Sequence, residues 1–168
     1  MLRERLNVAI AEIEFARSYT HTLLDDLSDE AWLEIPAGGV SNIAWQVGHL
    51  AMAQYALTMI RIRGKEPTDS EFITSKFFKR YKKTSSPSAD ASANEPLDEI
   101  RKTFAAVHQQ ALKELPLCTD ETLSETLPAP TAVTETKLGS IFFCSKHEML
   151  HAGQIGMIRR MLGKDPVR

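Results

Sequence analysis

The sequence has few cysteines and almost no net charge. Its 168 residues include two cysteines, Cys118 and Cys144, and its formal net charge is -2. Two cysteines are too few for a disulfide framework and are typical of proteins from a reducing cytoplasm. A net charge this small creates no field that would attract nucleic acid or an anionic membrane surface. We therefore expect a cytoplasmic protein that binds neither nucleic acid nor membrane.

Long apolar runs are absent as well. No run of about 18 residues is free of polar interruption, so the sequence predicts no membrane span. Charged residues interrupt positions 1–10, a pattern unlike a secretory signal peptide. The composition is otherwise ordinary, at 43% hydrophobic and 25% charged residues. A chain of this length predicts one domain, over residues 1–168, with one substantial core.

Helical patterns fill most of the sequence. Apolar residues recur at every third or fourth position in four segments bounded by capping residues, glycine or proline. These predicted helices cover about 2–27, 42–63, 97–115 and 136–162. We also expect one short turn at 29–33 and a loop over 116–136 with one helical turn at 120–123. Four long helices predict an all-α four-helix bundle, and the connection between the second and third helices is long enough for a crossover.

The connection at about 64–96 is predicted to be irregular. A short helix is expected within 71–81, and the Ser- and Pro-rich residues 84–96 have the composition of a flexible linker. Residues 76–83 mix basic and aromatic side chains, a mixture that can bind nucleic acid. We favour a solvated face whose aromatic rings fold back on the core. A lid over a pocket is a further alternative.

Two histidines stand four residues apart near the C-terminus. On a helix, His147 and His151 lie on one face, separated by roughly 6 Å of rise, so both can bind one divalent ion. A catalytic zinc centre usually has a third protein ligand and an open position. Because facing helices of a bundle meet in its core, His49 of the second helix could supply that ligand. The alternative for His49 is a core histidine bonded to a carbonyl or carboxylate, which its helix taken alone favours. We favour a half-exposed structural histidine for His21 and a satisfied core or boundary histidine for His108.

The same segment satisfies the zinc-protease signature H-E-x-x-H, with Glu148 as general base. That signature needs a third ligand downstream, but the only carboxylate after His151 is Asp165, beyond the predicted helix end. Gln154 and Met157 occupy the glycine and histidine positions of the extended motif. We therefore disfavour a protease. Glu148 stays a candidate base or support for a ligand in a bundle enzyme, and a carboxylate at the surface or core edge is the alternative.

Two other residues share the histidine face of the last helix. Cys144 lies one turn before His147 and could close the site as a fourth ligand, which would make the metal structural. We favour a small buried residue instead. Gln154 either bonds a ligand or substrate or bonds within the bundle, and the sequence does not choose between these roles.

The sequence also resembles a known family. Asn42–Ala51 (NIAWQVGHLA), the preceding Pro36–Gly39 (PAGG) and His147–Ile155 (HEMLHAGQI) are similar to segments of the DinB/YfiT-like superfamily. The likeness extends over nearly the whole chain. It implies a four-helix bundle, often dimeric, with a three-histidine site for a divalent metal, commonly zinc or nickel. Carried over by motif, the implied ligands are His49, His147 and His151.

The resemblance further implies two kinds of activity. Some members are metal-dependent transferases that use thiols such as mycothiol, bacillithiol or glutathione, and others resemble hydrolases. Three neutral imidazoles would leave an ion its double charge and an open position, which can lower the pKa of bound water or hold a thiolate. We therefore predict a Zn²⁺- or Ni²⁺-dependent homodimeric enzyme that acts on a small-molecule substrate, with a low-molecular-weight thiol as possible co-substrate. The alternative is a non-enzymatic bundle for binding or dimerisation, in which the metal is structural.

Overall fold

The chain is mostly helical in the computed structural model, which describes residues 1–131 and 134–167. Its helices are α1 (Leu2–Leu24), α2 (Asp29–Leu33), α3 (Ile43–Tyr55), α4 (Arg61–Arg63), α5 (Ser75–Arg80), α6 (Leu97–Glu114), α7 (Asp120–Ser124) and α8 (Lys137–Met161). A π-helical turn, Ala56–Ile60, joins α3 to α4, and 3₁₀ turns form at Pro67–Glu71, Ala91–Ala93 and Leu115–Leu117. The predicted all-α class is confirmed. The bundle with a crossover stays a prediction.

Local side chains and glycines set the ends of the long helices. The Asn42 carboxamide oxygen accepts a hydrogen bond from the Trp45 backbone at 2.9 Å and so begins α3. The Thr136 hydroxyl accepts one from the Gly139 backbone at 3.0 Å and begins α8. Gly64 and Gly163 follow α4 and α8 with φ angles of 89° and 80°. These positive values suit glycine, because a side chain is strained there. Helices α1, α6 and α8 begin and end within a few residues of the predicted positions. The second predicted helix, 42–63, corresponds to α3, the π-helical turn and α4 together.

The connection before α8 differs from the prediction. A loop with one helical turn at 120–123 was expected over 116–136. The turn is present as α7, but the chain then forms two antiparallel strands, β1 (Thr126–Thr131) and β2 (Thr134–Thr136). Thr126 lies opposite Thr136 and Thr131 opposite Thr134, and the register shifts between these two pairs. Prolines 128 and 130 indicated a loop, yet both strands of a two-stranded sheet are edge strands, which tolerate a missing N–H. Residues 132 and 133 of the expected loop lie outside the described residues.

The irregular connection between α4 and α6 is tied to α3 by hydrogen bonds. The Trp45 indole donates to the Ser85 hydroxyl at 3.0 Å, and the Asn42 amide donates to the Ser88 carbonyl at 2.8 Å. The Tyr81 hydroxyl accepts from the Glu95 backbone at 3.2 Å. Composition predicted a flexible linker here because it cannot reveal such anchors. Tyr81 is fully buried, so at least this aromatic ring folds back on the core as predicted.

The long helices pack in pairs that share one apolar core. Helix α1 packs along α8, and α3 packs against both α6 and α8. Each of these helices contributes fully buried aliphatic side chains, including Leu6, Leu50, Ile100 and Ile141. The contact between α3 and α8 positions the candidate site, because it brings His49 to the face that carries His147 and His151. None of the described helices combines the length and apolar character that crossing a membrane requires.

Candidate metal centre

Three histidines meet where α3 packs on α8. One ligand atom from each of His49, His147 and His151 lies within 4.8 Å of the other two. The ring centroid of His49 is 5.3 Å from that of His147 and 4.8 Å from that of His151. The centroids of His147 and His151 are 4.6 Å apart. The helix repeat accounts for the α8 pair. Only helix packing brings His49 to it, from about a hundred positions away in the sequence.

The His49 ring is held by the backbone and by a neighbouring indole. Its Nδ1–H donates to the Tyr81 carbonyl at 2.8 Å, which leaves Nε2 of the neutral ring as the atom that can accept. The Trp45 indole stacks on it with centroids 4.8 Å apart and planes 8° from parallel. Gly48 makes this arrangement possible, because a Cβ there would lie 2.5 Å from the Tyr81 ring.

A glutamine fixes His151 in the same way. Nδ1–H of His151 donates to the side-chain oxygen of Gln46, which lies one turn before His49 on α3. The Gln46 amide in turn donates to the Ser41 hydroxyl at 2.9 Å and to the Gln154 side-chain oxygen at 3.0 Å. Gln154 thus bonds within the protein and acts on His151 through Gln46. Sequence reasoning missed Gln46, although a glutamine one turn from His49 on an apolar helix was a usable signal.

Burial keeps the three imidazoles neutral. Burial lowers the pKa of His49, against the opposing effect of its bond to the Tyr81 carbonyl. Burial lowers the pKa of His147 to about 4, with a smaller contribution from His49. It lowers the pKa of His151 to about 3, assisted by the other two histidines. Metal ligands must be unprotonated, so the cluster needs to lose no proton to bind an ion at neutral pH.

The donor set fits a divalent ion of the zinc or nickel kind. Imidazole suits both metals, and the outward hydrogen bonds of His49 and His151 leave their Nε2 lone pairs available. Nitrogens about 2.1 Å from one tetrahedral ion stand roughly 3.4 Å apart. The described separations, within 4.8 Å, therefore need only small side-chain movements.

Glu148 and Cys144 do not belong to this cluster. The Glu148 carboxylate is buried and accepts hydrogen bonds from the Arg17 guanidinium at 2.8 and 3.3 Å. Cys144 is also buried, and burial strongly raises the pKa of its thiol, with a smaller contribution from Glu148. That is the environment of the small buried residue we favoured. The general-base role of Glu148 stays a prediction, and the carboxylate is committed to Arg17 in this structure.

The other two histidines also lie outside the cluster. Nδ1 of His108 accepts a hydrogen bond from the Gln54 amide at 3.1 Å. Burial, followed by the charges of Arg17 and His21, lowers the pKa of His108 to about 4. The His21 ring lies against Phe104 with centroids 5.7 Å apart. His108 is thus a half-buried, hydrogen-bonded histidine, as we favoured, and His21 is an exposed histidine that packs on an aromatic ring.

A cavity of about 410 Å³ opens beside His49 and His147. Its walls are apolar side chains of α3, the π-helical turn and α8, and its remaining lining residues are basic. Besides the two histidines it is lined by Met52, Ala53, Ala56, Leu57, Arg61, Lys82, Lys83 and Phe143. Small-molecule sites are typically apolar clefts of this size with a few placed polar groups.

A comparison with known protein families gives a match over most of the chain. A family model described as the DinB superfamily matches residues 12–155, which include all three clustered histidines. A comparison with curated proteins found no match.

Proposed function

The chain belongs to the DinB superfamily, and on that premise we propose that it is a metal-dependent enzyme whose centre is His49, His147 and His151. The metal is Zn²⁺ or Ni²⁺, and the reaction is a transfer that uses a low-molecular-weight thiol, with hydrolysis of a small molecule as the alternative chemistry. The observation that carries the proposal is the convergence of three neutral, buried or half-buried imidazoles beside a cavity.

Hydrogen bonds within the protein would orient the imidazole rings for metal binding before any substrate binds. The Tyr81 carbonyl and the Gln46 side chain hold two of the rings in the tautomer whose Nε2 can bind an ion. A bound divalent ion supplies Lewis acidity, which lowers the pKa of a coordinated water or thiol. The apolar walls, which include Met52 and Phe143, would exclude water from the reacting groups.

The cavity favours an enzyme over a purely structural metal. A structural zinc site is closed by four protein ligands, whereas Cys144, the candidate fourth ligand, is outside the cluster. His49 and His147 line a cavity large enough for a small molecule. Those two observations support an accessible fourth position.

Metal content tests the proposal. We would measure zinc and nickel by mass spectrometry in untagged protein, in His49→Ala, and in His108→Ala as a matched control from outside the cluster. We expect about one ion per chain in the parent and control, and little in His49→Ala, because a two-histidine site is weak. A parent that holds no metal after Zn²⁺ is added back would contradict the proposal, as would full occupancy in His49→Ala.

Location and assembly are part of the proposal. Two free cysteines, Cys118 and Cys144, are consistent with a reducing cytoplasm. We also propose a homodimer that binds neither nucleic acid nor membrane. Light scattering on the purified protein would test the dimer, and a monomeric mass at micromolar concentration would contradict it.

A further inference from the structure

An arginine beside the candidate metal centre lacks a partner. Nη1 of Arg61 is buried and has no hydrogen-bond partner among the described residues, although the side chain lines the cavity next to His49 and His147. A buried guanidinium N–H without an acceptor costs free energy, so such groups are normally paired. A cavity-lining arginine whose guanidinium keeps an unpaired donor indicates a ligand that brings the acceptor.

Arg63, two residues later, shows how this protein satisfies a structural arginine. Its guanidinium contacts Glu114 at 2.7 Å and Asp69 at 2.7 Å. Arg61 has no such carboxylate, and neither Lys82 nor Lys83 at the same cavity forms an ion pair in the described part of the chain. No acidic residue lines the cavity. The cavity therefore carries a positive charge that no carboxylate among its lining residues balances.

The helix beside Arg61 is also irregular. Arg61 directly follows the π-helical turn Ala56–Ile60, and Ala56 and Leu57 of that turn form part of the cavity wall. Single π-helical turns inside α-helices are uncommon and occur frequently at functional sites. The distortion, the unpaired guanidinium and the uncompensated charge thus coincide at one cavity.

We propose that this cavity binds an organic anion with an apolar body, whose carboxylate pairs with Arg61. The planar guanidinium suits a carboxylate because it can donate two parallel hydrogen bonds. Met52, Leu57 and Phe143 would contact the apolar body, while the exposed Lys82 and Lys83 strengthen the field at the rim. That this anion is the substrate of the histidine centre rests on the proposed function, whereas its binding to the cavity does not.

The test compares an acid with its neutral counterpart. We would titrate 4-phenylbutyrate and 4-phenylbutan-1-ol into metal-free full-length protein by calorimetry. The variants are Arg61→Gln and, as the matched charge control, the exposed Arg160→Gln, which lies away from this cavity. We expect the parent and Arg160→Gln to bind the acid at least tenfold more tightly than the alcohol. Arg61→Gln should lose that preference and bind the alcohol as the parent does.

Equal affinity for acid and alcohol in the parent would overturn the inference, and so would an unchanged preference in Arg61→Gln. If Arg61→Gln unfolds, Arg61→Lys decides the matter, because it keeps the charge but not the paired donors. A preference reduced several-fold in Arg61→Lys supports carboxylate pairing, whereas an unchanged one contradicts it. These titrations use no metal, so their outcome is independent of metal content, which tests the histidine centre itself.

Discussion

Single hydrogen-bond acceptors beside the histidines determine which ring nitrogen can bind a metal. The Tyr81 carbonyl accepts from Nδ1 of His49, and the Gln46 oxygen accepts from Nδ1 of His151. Each acceptor orients a ring and leaves its Nε2 free. Removal of one acceptor therefore changes the metal site without removing a ligand.

Gln46→Leu tests this at the residue scale. We expect its zinc affinity to fall by about 10- to 100-fold, because His151 loses the acceptor that fixes its tautomer. Competition with a chromophoric chelator measures the affinity. Gln110→Leu is the control, since Gln110 bonds to Glu114 on α6 and not to the cluster. Parent-like affinity in Gln46→Leu would show that the hydrogen bond does not orient the ligand.

At the scale of helices, one buried ion pair connects elements far apart in the sequence. Arg17 of α1 binds Glu148 of α8, and it also donates to the Gln54 side chain of α3 at 2.8 Å and the Phe104 carbonyl of α6 at 2.9 Å. All four long helices thus contribute to one polar network inside the core. Such a pair is costly to break, because the remaining charge stays buried.

Glu148→Gln separates the structural role of this carboxylate from a catalytic one. We expect a loss of about 3–5 kcal/mol in unfolding free energy, because Arg17 keeps its charge without a counter-charge. Urea denaturation measures the loss. As a control, Glu12→Gln should cost at most about 1 kcal/mol, since Glu12 forms a half-exposed pair with Lys146. Parent-like stability with abolished turnover would instead support the general-base role.

At the scale of the whole molecule, histidine burial makes stability depend on pH. Burial lowers the pKa of every histidine: to about 4 for His108 and His147, to about 3 for His151, and in the same direction for His21 and His49. The usual histidine pKa is about 6.5. At a pH between the folded-state and the usual histidine pKa values, the unfolded chain binds more protons than the folded one. The contribution of the neutral histidines to folding stability is therefore full above about pH 6.5 and falls as the pH is lowered towards 4.

Metal-free protein should therefore lose stability steadily between pH 7 and pH 4.5. This window lies above the range in which most ion-paired carboxylates titrate; for example, Arg159 lowers the pKa of Asp26 to about 2. Thermal unfolding at several pH values measures the effect. His108→Gln should show a shallower slope, because one of the lowered pKa values is removed while the cluster stays intact. An unfolding temperature that is flat over this range would contradict the expectation.

Local sequence determined the helices and two of the three candidate metal ligands. Capping by Asn42 and Thr136, and the glycines at 64 and 163, act within a few residues, so helix ends could be predicted from the sequence. His147 and His151 share a face because the helix repeat is fixed at 3.6 residues per turn. The pairing of β1 with β2 was missed because strand pairing depends on a partner, and the prolines of β1 signal a loop in isolation.

Tertiary packing decided everything that depends on residues far apart in the chain. Sequence offered His49 as a third ligand only as a hypothesis, and Gln46 was not recognised as the partner of His151. Glu148 and Arg17 form an ion pair although they are 131 positions apart in the sequence, and no helical periodicity predicts such a pair. Residue spacing encodes short-range geometry, whereas the side chains that meet across a core are chosen by how the helices pack.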